Sequence, residues 1–406
     1  MSPEQPSSQS PSRRRFLGAA IATATASSYG RILGANDRIR VGAIGTGERC
    51  QYLLSLLNKA GGNEIVAVCD VYEPHRLEAK LKSAPEAKDY AEFQQLLDRS
   101  DIDAVVIGTP DHWHVPITTA AVRAGKDVYC EKPVTHTIEE GEPLIAAVRE
   151  SKRVVQTGTQ QRSWKHYIQA KEIVASGRLG QITFIRTYWY QNHIKNQQAG
   201  PEIALDKLDW KLFLGPASDR PFDQDQYAHW RWYWDFGGGA MTDLFVHWVD
   251  VAQWYTGQDM PTRATATGQI ALLKQRQTPD TMSAALSYPG VIVEFDSALL
   301  GYIEGGGLMF RGTKAAMRLH RRGFTLYDEI PRYSETYEPK EAAMQVKSEH
   351  DGAIDHMQNF LDCVRSRNTP NASVEIGVAA ARAGHVANLA LRGNGLWTPS
   401  AAPATS

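Results

Sequence analysis

Three residues of this sequence have types and spacings suited to acid–base chemistry on a bound hydroxyl. Lys132 closes the run DVYCEK just before Pro133, and Asp243 and His247 stand four apart in GGGAMTDLFVHW. Positions i and i+4 of a helix share one face, which would set carboxylate and imidazole side by side. Removing hydride from a carbinol carbon needs a base for the hydroxyl proton as the C–H bond breaks. An imidazole can take that proton. A carboxylate can hold the imidazole or bind a neighbouring hydroxyl, and a lysine ammonium can stabilise alkoxide character on the reacting oxygen. Gly237, Gly238 and Gly239, just before the helix, would let the backbone approach a ligand. Each residue also has a structural reading: a strand-end surface lysine, a helix-start carboxylate, a satisfied core histidine. Asp250 extends the row to i+7, a spacing that could hold a metal. Hydride chemistry needs none, and no metal is expected.

A second group of residues points to a dinucleotide. RIRVGAIGTGERC reads as a strand ending in G-x-G-x-x-G, with Gly45 and Gly47 in the first two places and Cys50 in the third. A helix-like stretch follows from Glu48 to Ala60, and Asp70 ends the next strand about 20 residues on, where a ribose-binding acid belongs. Gly45, Thr46, Gly47, Glu48 and Arg49 are the candidates at the pyrophosphate, which would sit on the free N–H groups of the helix start. Asp70 would bind ribose hydroxyls and repel a 2′-phosphate, so NAD is expected over NADP. Arg76 argues the other way only if it folds back over the ribose. Cys50, Leu53, Leu54 and Leu57 follow i, i+3, i+4, i+7. That puts Cys50 on the buried face, as a small substitute for the third glycine rather than a redox group.

The elements that must position these residues fall into two textures. From Arg38 to about Gln156, short apolar strands alternate with helical stretches, the pattern of βαβ units and a parallel sheet covered on both faces. After Gly158 the strands lengthen and alternate: QITFIRTYWY, TRATATGQIALL, TMSAALSYPGVIVEFDSALL and GLMFRGTKAAMRLHRRGFTLYD read as a mostly antiparallel sheet. Helices are expected at Tyr167–Ser176, Ala240–Tyr255, Asp351–Arg367 and Ile376–Arg392. The fold class is α/β: an N-terminal Rossmann dinucleotide-binding domain at 37–157, then a C-terminal α/β domain with an open, mostly antiparallel sheet at 158–395, then a disordered tail at 396–406. Two domains also suit a chain of 406 residues, too long for one ordinary core.

Residues 1–36 read as a targeting segment and linker. Arg13 and Arg14, then Phe16, Leu17, a mildly apolar run and Ala24-Thr25-Ala26 resemble a twin-arginine export signal. The mature chain is therefore expected in the periplasm or outside the cell. The apolar run is too short to span a bilayer, and no membrane insertion of the mature chain is expected. A net charge of −1 gives no global field for nucleic acid. None of Cys50, Cys69, Cys130 and Cys363 lies in a C-x-x-C pair, so buried thiols are expected.

Two longer motifs, GTPDHWHVPITTAAVRAGKDVYCEKPV and WDFGGGAMTDLFVHWVDVAQW, together resemble those of the Gfo/Idh/MocA family of oxidoreductases. The resemblance runs from Arg38 to the C-terminal helices. It implies NAD(P) in the first domain and sugars, inositols or other polyols as substrates. By position it makes Lys132 the catalytic lysine, Asp243 the helix carboxylate and His247 the acid/base. It sets Thr109 and Pro110 along the nicotinamide half, with Glu131 and His114 nearby, and suggests a cis Lys132–Pro133 bond. The Trp-rich approach AHWRWYWDFGGG with the export signal is similar to a secreted branch. The open sheet face of this family often makes oligomer contacts, so a homo-oligomer, dimer or tetramer, is expected.

Substrate contacts are expected from Arg162, from Tyr188 and His193 at the end of the first strand of the second domain, and from Trp234 with Trp230 and Trp232. Aromatic faces suit the C–H faces of a pyranose, and core packing would explain them nearly as well. Three functions follow. The first is a NAD-dependent oxidoreductase of a sugar or polyol. The second is a glycosidase or sugar–sugar oxidoreductase with a tightly held, self-recycled NAD, attractive where no free NAD pool exists. The third is a non-catalytic sugar-binding protein, against which the full set Lys132, Asp243 and His247 counts.

Overall fold

The computed structural model describes residues 38–193, 202–329 and 341–399. The export signal expected at 1–36 and residues 400–406 of the expected tail lie outside them. The first domain runs β1 (Ile39–Ile44), α1 (Glu48–Ala60), β2 (Asn63–Cys69), α2 (Glu73–Lys80), β3 (Lys88–Tyr90), α3 (Phe93–Leu97), β4 (Ala104–Ile107), α4 (His114–Arg123), β5 (Asp127–Cys130), α5 (Gly141–Ser151) and β6 (Val155–Thr157). All its strand pairs are parallel, in the order β3-β2-β1-β4-β5-β6. This is the doubly wound arrangement, whose order reverses at β1 and β4 and opens a crevice beyond their carboxyl ends. The strands are short and mostly apolar because helices cover both faces.

The second domain contains α6 (Lys165–Ala175), β7 (Ile182–Tyr190), the short helices α7 (Trp210–Leu214) and α8 (Gln224–Ala228), and a π-helical turn at Met241–Phe245 that runs into α9 (Val246–Thr256). Then come β8 (Arg263–Gln269), β9 (Thr281–Tyr288), β10 (Val291–Ala298), β11 (Gly306–Gly312), β12 (Ala315–His320), β13 (Gly323–Asp328) and β14 (Met344–Lys347). The chain closes with α10 (Ala353–Ser366), α11 (Val374–Arg392) and β15 (Leu396–Trp397). Its sheet has the order β14-β13-β12-β11-β7-β10-β9-β8-β15 and is antiparallel except between β7 and β10. The mostly antiparallel expectation is met.

Three expectations are corrected. The helix at 351–367 belongs in space to the first domain: Met357, Phe360, Leu361 and Val364 of α10 share a core with Leu53, Leu54 and Leu57 of α1. The tail expected from 396 begins later, because Leu396 and Trp397 pair with Thr265 and Ala264, and Trp397 packs on the second core. Finally, the strand read through TRATATGQIALL stops at Gln269, since the Asp280 carboxylate accepts the amides of Ala271, Leu272 and Leu273 and turns the chain there. Among the described residues no helix is long and apolar enough to cross a membrane. All four cysteines are buried thiols.

Candidate active site

A cleft of about 1160 Å³ opens at the switch point between the domains. Gly45 and Gly47 both line it, for different reasons. Gly45 has φ 75°, and a Cβ there would meet the Thr109 backbone nitrogen at 2.6 Å, so the turn itself demands glycine. Gly47 has an ordinary φ of −65°, and a Cβ there would meet nothing nearer than His75 at 3.8 Å. Neither backbone nor packing asks for glycine at 47. The open space it leaves before the α1 N-terminus fits a pyrophosphate.

Asp70 lines the cleft at the end of β2, its Oδ1 accepting the Tyr72 amide at 2.9 Å. His75 Nδ1 lies 3.5 Å from Asp70 Oδ2, and although burial works against its charge, the carboxylate raises the imidazole above its usual range. Arg76 does not fold over this site. Its Nη1 donates to the Asp70 carbonyl at 2.7 Å and its Nε lies 3.5 Å from Asp89. Glu48, Arg49, Thr109 and Pro110 line the cleft as expected.

Three expected cofactor contacts sit beneath the cleft surface instead. The Thr46 side chain is wholly buried. His114 is wedged between two carbonyls, Nδ1 at 2.6 Å from Pro133 and Nε2 at 3.0 Å from Thr109, and thereby ties the Thr109 loop to the Lys132 loop. Glu131 accepts from Arg49 Nε at 2.8 Å and from the Lys132 amide at 3.2 Å. These two are braces for residues that face the cleft. Cys50 is fully buried, and a Cβ added to Gly108 would approach the Cys50 Cβ to 2.9 Å. The glycine missing from the third fingerprint place is in effect supplied by the facing strand end.

On the other wall, the Lys132–Pro133 bond is cis, and Lys132 Nζ donates to Asp243 Oδ1 at 2.5 Å and to the Asp243 carbonyl at 2.9 Å. Arg231 Nε lies 3.5 Å from the same carboxylate oxygen. Burial pushes the Asp243 carboxyl up, but Lys132 and Arg231 overcome it and hold the group at about 2. Asp243 lines the cleft, with Lys132 behind it.

The carboxylate does not hold the imidazole. Asp243 sits in the π turn, whose longer repeat breaks the i, i+4 alignment of a regular helix. His247 instead stacks on Trp189, centroids 6.0 Å apart and planes 21° apart. Its Nδ1 has no hydrogen-bond partner among the described residues. Burial, then the charges of Lys132, Arg321 and Arg49, hold His247 neutral well below the usual imidazole range.

Of the expected substrate contacts, His193 lies in the cleft, edge-on to Trp232 at 5.5 Å. Arg162 does not. It turns inward onto the buried Asp250, Nε to Oδ1 2.8 Å, with its guanidinium over the Trp254 ring. That pair also removes Asp250 from the metal row, and no metal-binding cluster occurs among the described residues. Tyr188 lies on the opposite face of the sheet, under the Arg186 guanidinium, because strand neighbours alternate and Trp189 takes the His247 side. Trp234 carries Arg392 over its ring, while Trp230 and Trp232 line the cleft. The turn at Trp230–Trp232 breaks the alternation that would have aligned all three.

The residues not anticipated are Trp189, Arg231, Arg276, Arg321 and Asp111. Arg231 lies inside the quoted Trp-rich run, and Asp111 inside PDHWH. Arg276 and Arg321 sit on remote segments and carry no local signal. Asp111 is buried, and burial followed by the charge of Asp243 pushes its carboxyl up.

A strap from the second domain crosses the cleft at its Asp70 end. Leu208 bridges Tyr72, the Asp209 amide donates to the Val71 carbonyl at 3.0 Å, and Lys207 pairs with Glu73 at 3.1 Å. Across the crevice, Trp113 Nε1 donates to the Phe213 carbonyl at 3.0 Å, with His112 Nε2 equally close. Ile203, Phe213 and Tyr227 of this strap line the cleft near Asp70.

Comparison with known proteins bears on this geometry. Residues 39–159 match the profile described as oxidoreductase family, NAD-binding Rossmann fold, and residues 217–318 that of the Gfo/Idh/MocA C-terminal domain. Inositol 2-dehydrogenase of Salmonella paratyphi B is 33% identical over 171 residues, 42% of this chain and half the length of that relative. Alpha-N-acetylgalactosaminidase of Tannerella forsythia is 39% identical over 117 residues, 26% of this chain and 25% of that protein. The crystal structure of myo-inositol 2-dehydrogenase from Lactobacillus plantarum has the same fold, with a TM-score of 0.67 at 21% identity, covering 90% of this chain and all of the other.

Proposed function

Because this chain belongs to the Gfo/Idh/MocA oxidoreductase family, we propose that it is a NAD-dependent oxidoreductase acting on a hydroxyl-bearing carbon of a sugar or polyol. One observation carries the proposal: Asp243, held by Lys132, lines a cleft whose other wall is the dinucleotide loop, and His247 lies buried four positions further along the same helical segment. The inositol dehydrogenases among its relatives support the substrate class. Asp70 facing the cleft, with Arg76 turned to the Asp70 carbonyl and Asp89, supports NAD over NADP.

Gly45, Gly47, the α1 N-terminus and Asp70 would hold the cofactor, and nicotinamide when bound supplies the hydride acceptor. Lys132, fixed by Asp243, polarises the reacting oxygen. The free face of the Asp243 carboxylate orients a hydroxyl, and the neutral imidazole of His247 receives the proton. A panel of sugars and polyols with NAD, run on the wild type and on Lys132→Met, tests this. Reduction of NAD by the wild type alone supports it, and no reduction by any member defeats it.

A second reading keeps the site and retains the cofactor, so that oxidation, glycosidic cleavage and re-reduction occur on one enzyme. Two observations favour it: the strap over the Asp70 end of the cleft, and the similarity to a glycosidase over part of the chain. Cleavage of aryl glycosides without net NADH, with NAD still bound in native mass spectra, would select it. Arg13, Arg14 and the run that follows support export of the folded, cofactor-loaded chain, testable by fusing residues 1–36 to a reporter.

A further inference from the structure

The substrate end of the cleft holds a guanidinium that the catalytic scheme does not use. Arg276 lines the cleft beside Trp232, its Cζ 4.9 Å from the ring centroid, yet only 4% of the residue is exposed. Its Nε and Nη1 have no hydrogen-bond partner among the described residues. A buried guanidinium without a carboxylate is costly, because desolvation is not repaid by any close charge.

The carboxylates that could have served are committed elsewhere. Asp225 accepts from His229 Nδ1 at 2.7 Å and from the Tyr233 hydroxyl. Asp280 holds the amides of Ala271, Leu272 and Leu273 at 2.8–2.9 Å. Asp243 is taken by Lys132, with Arg231 at 3.5 Å. Asp225 and Asp280 thus act on Arg276 only through their charge, and burial opposes the guanidinium's own charge. Arg231 lines the same end, its side chain 39% exposed. His193 completes this wall, and burial and then the charge of Arg276 lower its imidazole below the usual range.

We propose that Arg276, seconded by Arg231, is the docking group for an anionic substituent, so that the substrate is an acidic sugar or polyol rather than a neutral one. This rests on the oxidoreductase assignment and narrows its substrate class. A guanidinium stacked on an indole presents its remaining N–H edge to one oxyanion, while the indole face serves the sugar ring. A carboxylate, a phosphate and a sulfate ester share that chemistry.

The test uses matched pairs on the full enzyme: glucose against glucuronate, glucose 6-phosphate and glucose 6-sulfate, and galactose against galacturonate. Binding is read by calorimetry and turnover by NADH formation. At least one acidic member is expected to bind about 10- to 100-fold tighter than its neutral partner, the range of a charge-assisted hydrogen bond. Which acidic member gains identifies the substituent. Arg276→Gln is expected to abolish the difference, mainly through KM, and Arg276→Lys to restore part of it. Equal binding of neutral and acidic members by the wild type overturns the proposal whether or not the variants fold. Equal preference in a folded Arg276→Gln overturns the assignment to Arg276. Tight binding of an acid without any NADH leaves the anion site standing and defeats the oxidoreductase reading instead.

Discussion

The Lys132 ammonium donates to both the carboxylate and the carbonyl of Asp243, at 2.5 and 2.9 Å, across the boundary between the two domains. The strand end of one domain and the π turn of the other are thereby locked together at the point where chemistry is proposed. Removing one partner of such a pair leaves a buried charge, at a cost of about 3–5 kcal/mol. Lys132→Met is therefore expected to lower the melting temperature, raise the Asp243 carboxyl from about 2, and reduce kcat/KM by about 100-fold or more. Lys132→Met with Asp243→Asn is expected to recover stability but not turnover. Recovery of both in the double variant would make the pair purely structural.

The histidines set the acid side of the stability curve. Burial pulls His112, His114, His356 and His385 each to about 4, below the ordinary value of 6.5. A group whose folded-state affinity for protons is depressed favours the unfolded chain once that chain binds protons. Stability is thus full above pH of about 6.5 and falls as pH drops from there towards 4. Melting temperatures across that window are expected to decline steeply. His385→Gln, which keeps a donor towards Thr135, is expected to flatten the slope. A flat profile in the wild type would contradict the burial argument.

Cys50 and Gly108 form a complementary pair, one side chain filling the space the other leaves. Gly108→Ala would bring two Cβ atoms to 2.9 Å and is expected to cost about 1–3 kcal/mol. Cys50→Gly should keep cofactor binding and lose roughly 1–2 kcal/mol from the vacated space and the added helix glycine. Denaturant unfolding should show the double variant more stable than Gly108→Ala alone. Loss of activity in a well-folded Cys50→Ser would give the thiol a chemical role instead.

Gly47 separates folding from cofactor binding. Its φ of −65° suits any residue and its Cβ position faces open cleft. Gly47→Val is expected to melt within a few degrees of the wild type while losing NAD binding, read by fluorescence titration. Lost stability with retained NAD binding would show that the glycine serves the loop and not the ligand.

Most of the scaffold was legible in the sequence, because its signals are local. Apolar strands ending at Gly45 and Asp70, and helical spacing through Cys50 and Leu57, report on their own neighbours. The residues misjudged depend on distant partners. Helical spacing placed Asp243 beside His247, but a π turn redirects it to Lys132. Arg162 was expected to meet the substrate, yet Asp250 claims it from 88 positions away. Period-2 alternation was visible in QITFIRTYWY, but which face met the helix was not, and Trp189 rather than Tyr188 packs on His247. Arg276, far from every motif, is placed by the turn that Asp280 organises.

The most direct test of the central claim is a single turnover on enzyme loaded with NAD, since it works whether the cofactor dissociates or stays. The absorbance and fluorescence of the dihydronicotinamide are followed after mixing with sugars and polyols, acidic members included. An oxidoreductase built on Lys132, Asp243 and His247 reduces its own NAD with at least one of them, and Lys132→Met, binding NAD equally, does so about 100-fold more slowly or not at all. Equal rates in the two proteins, or no reduction with any member while NAD is demonstrably bound, would contradict it.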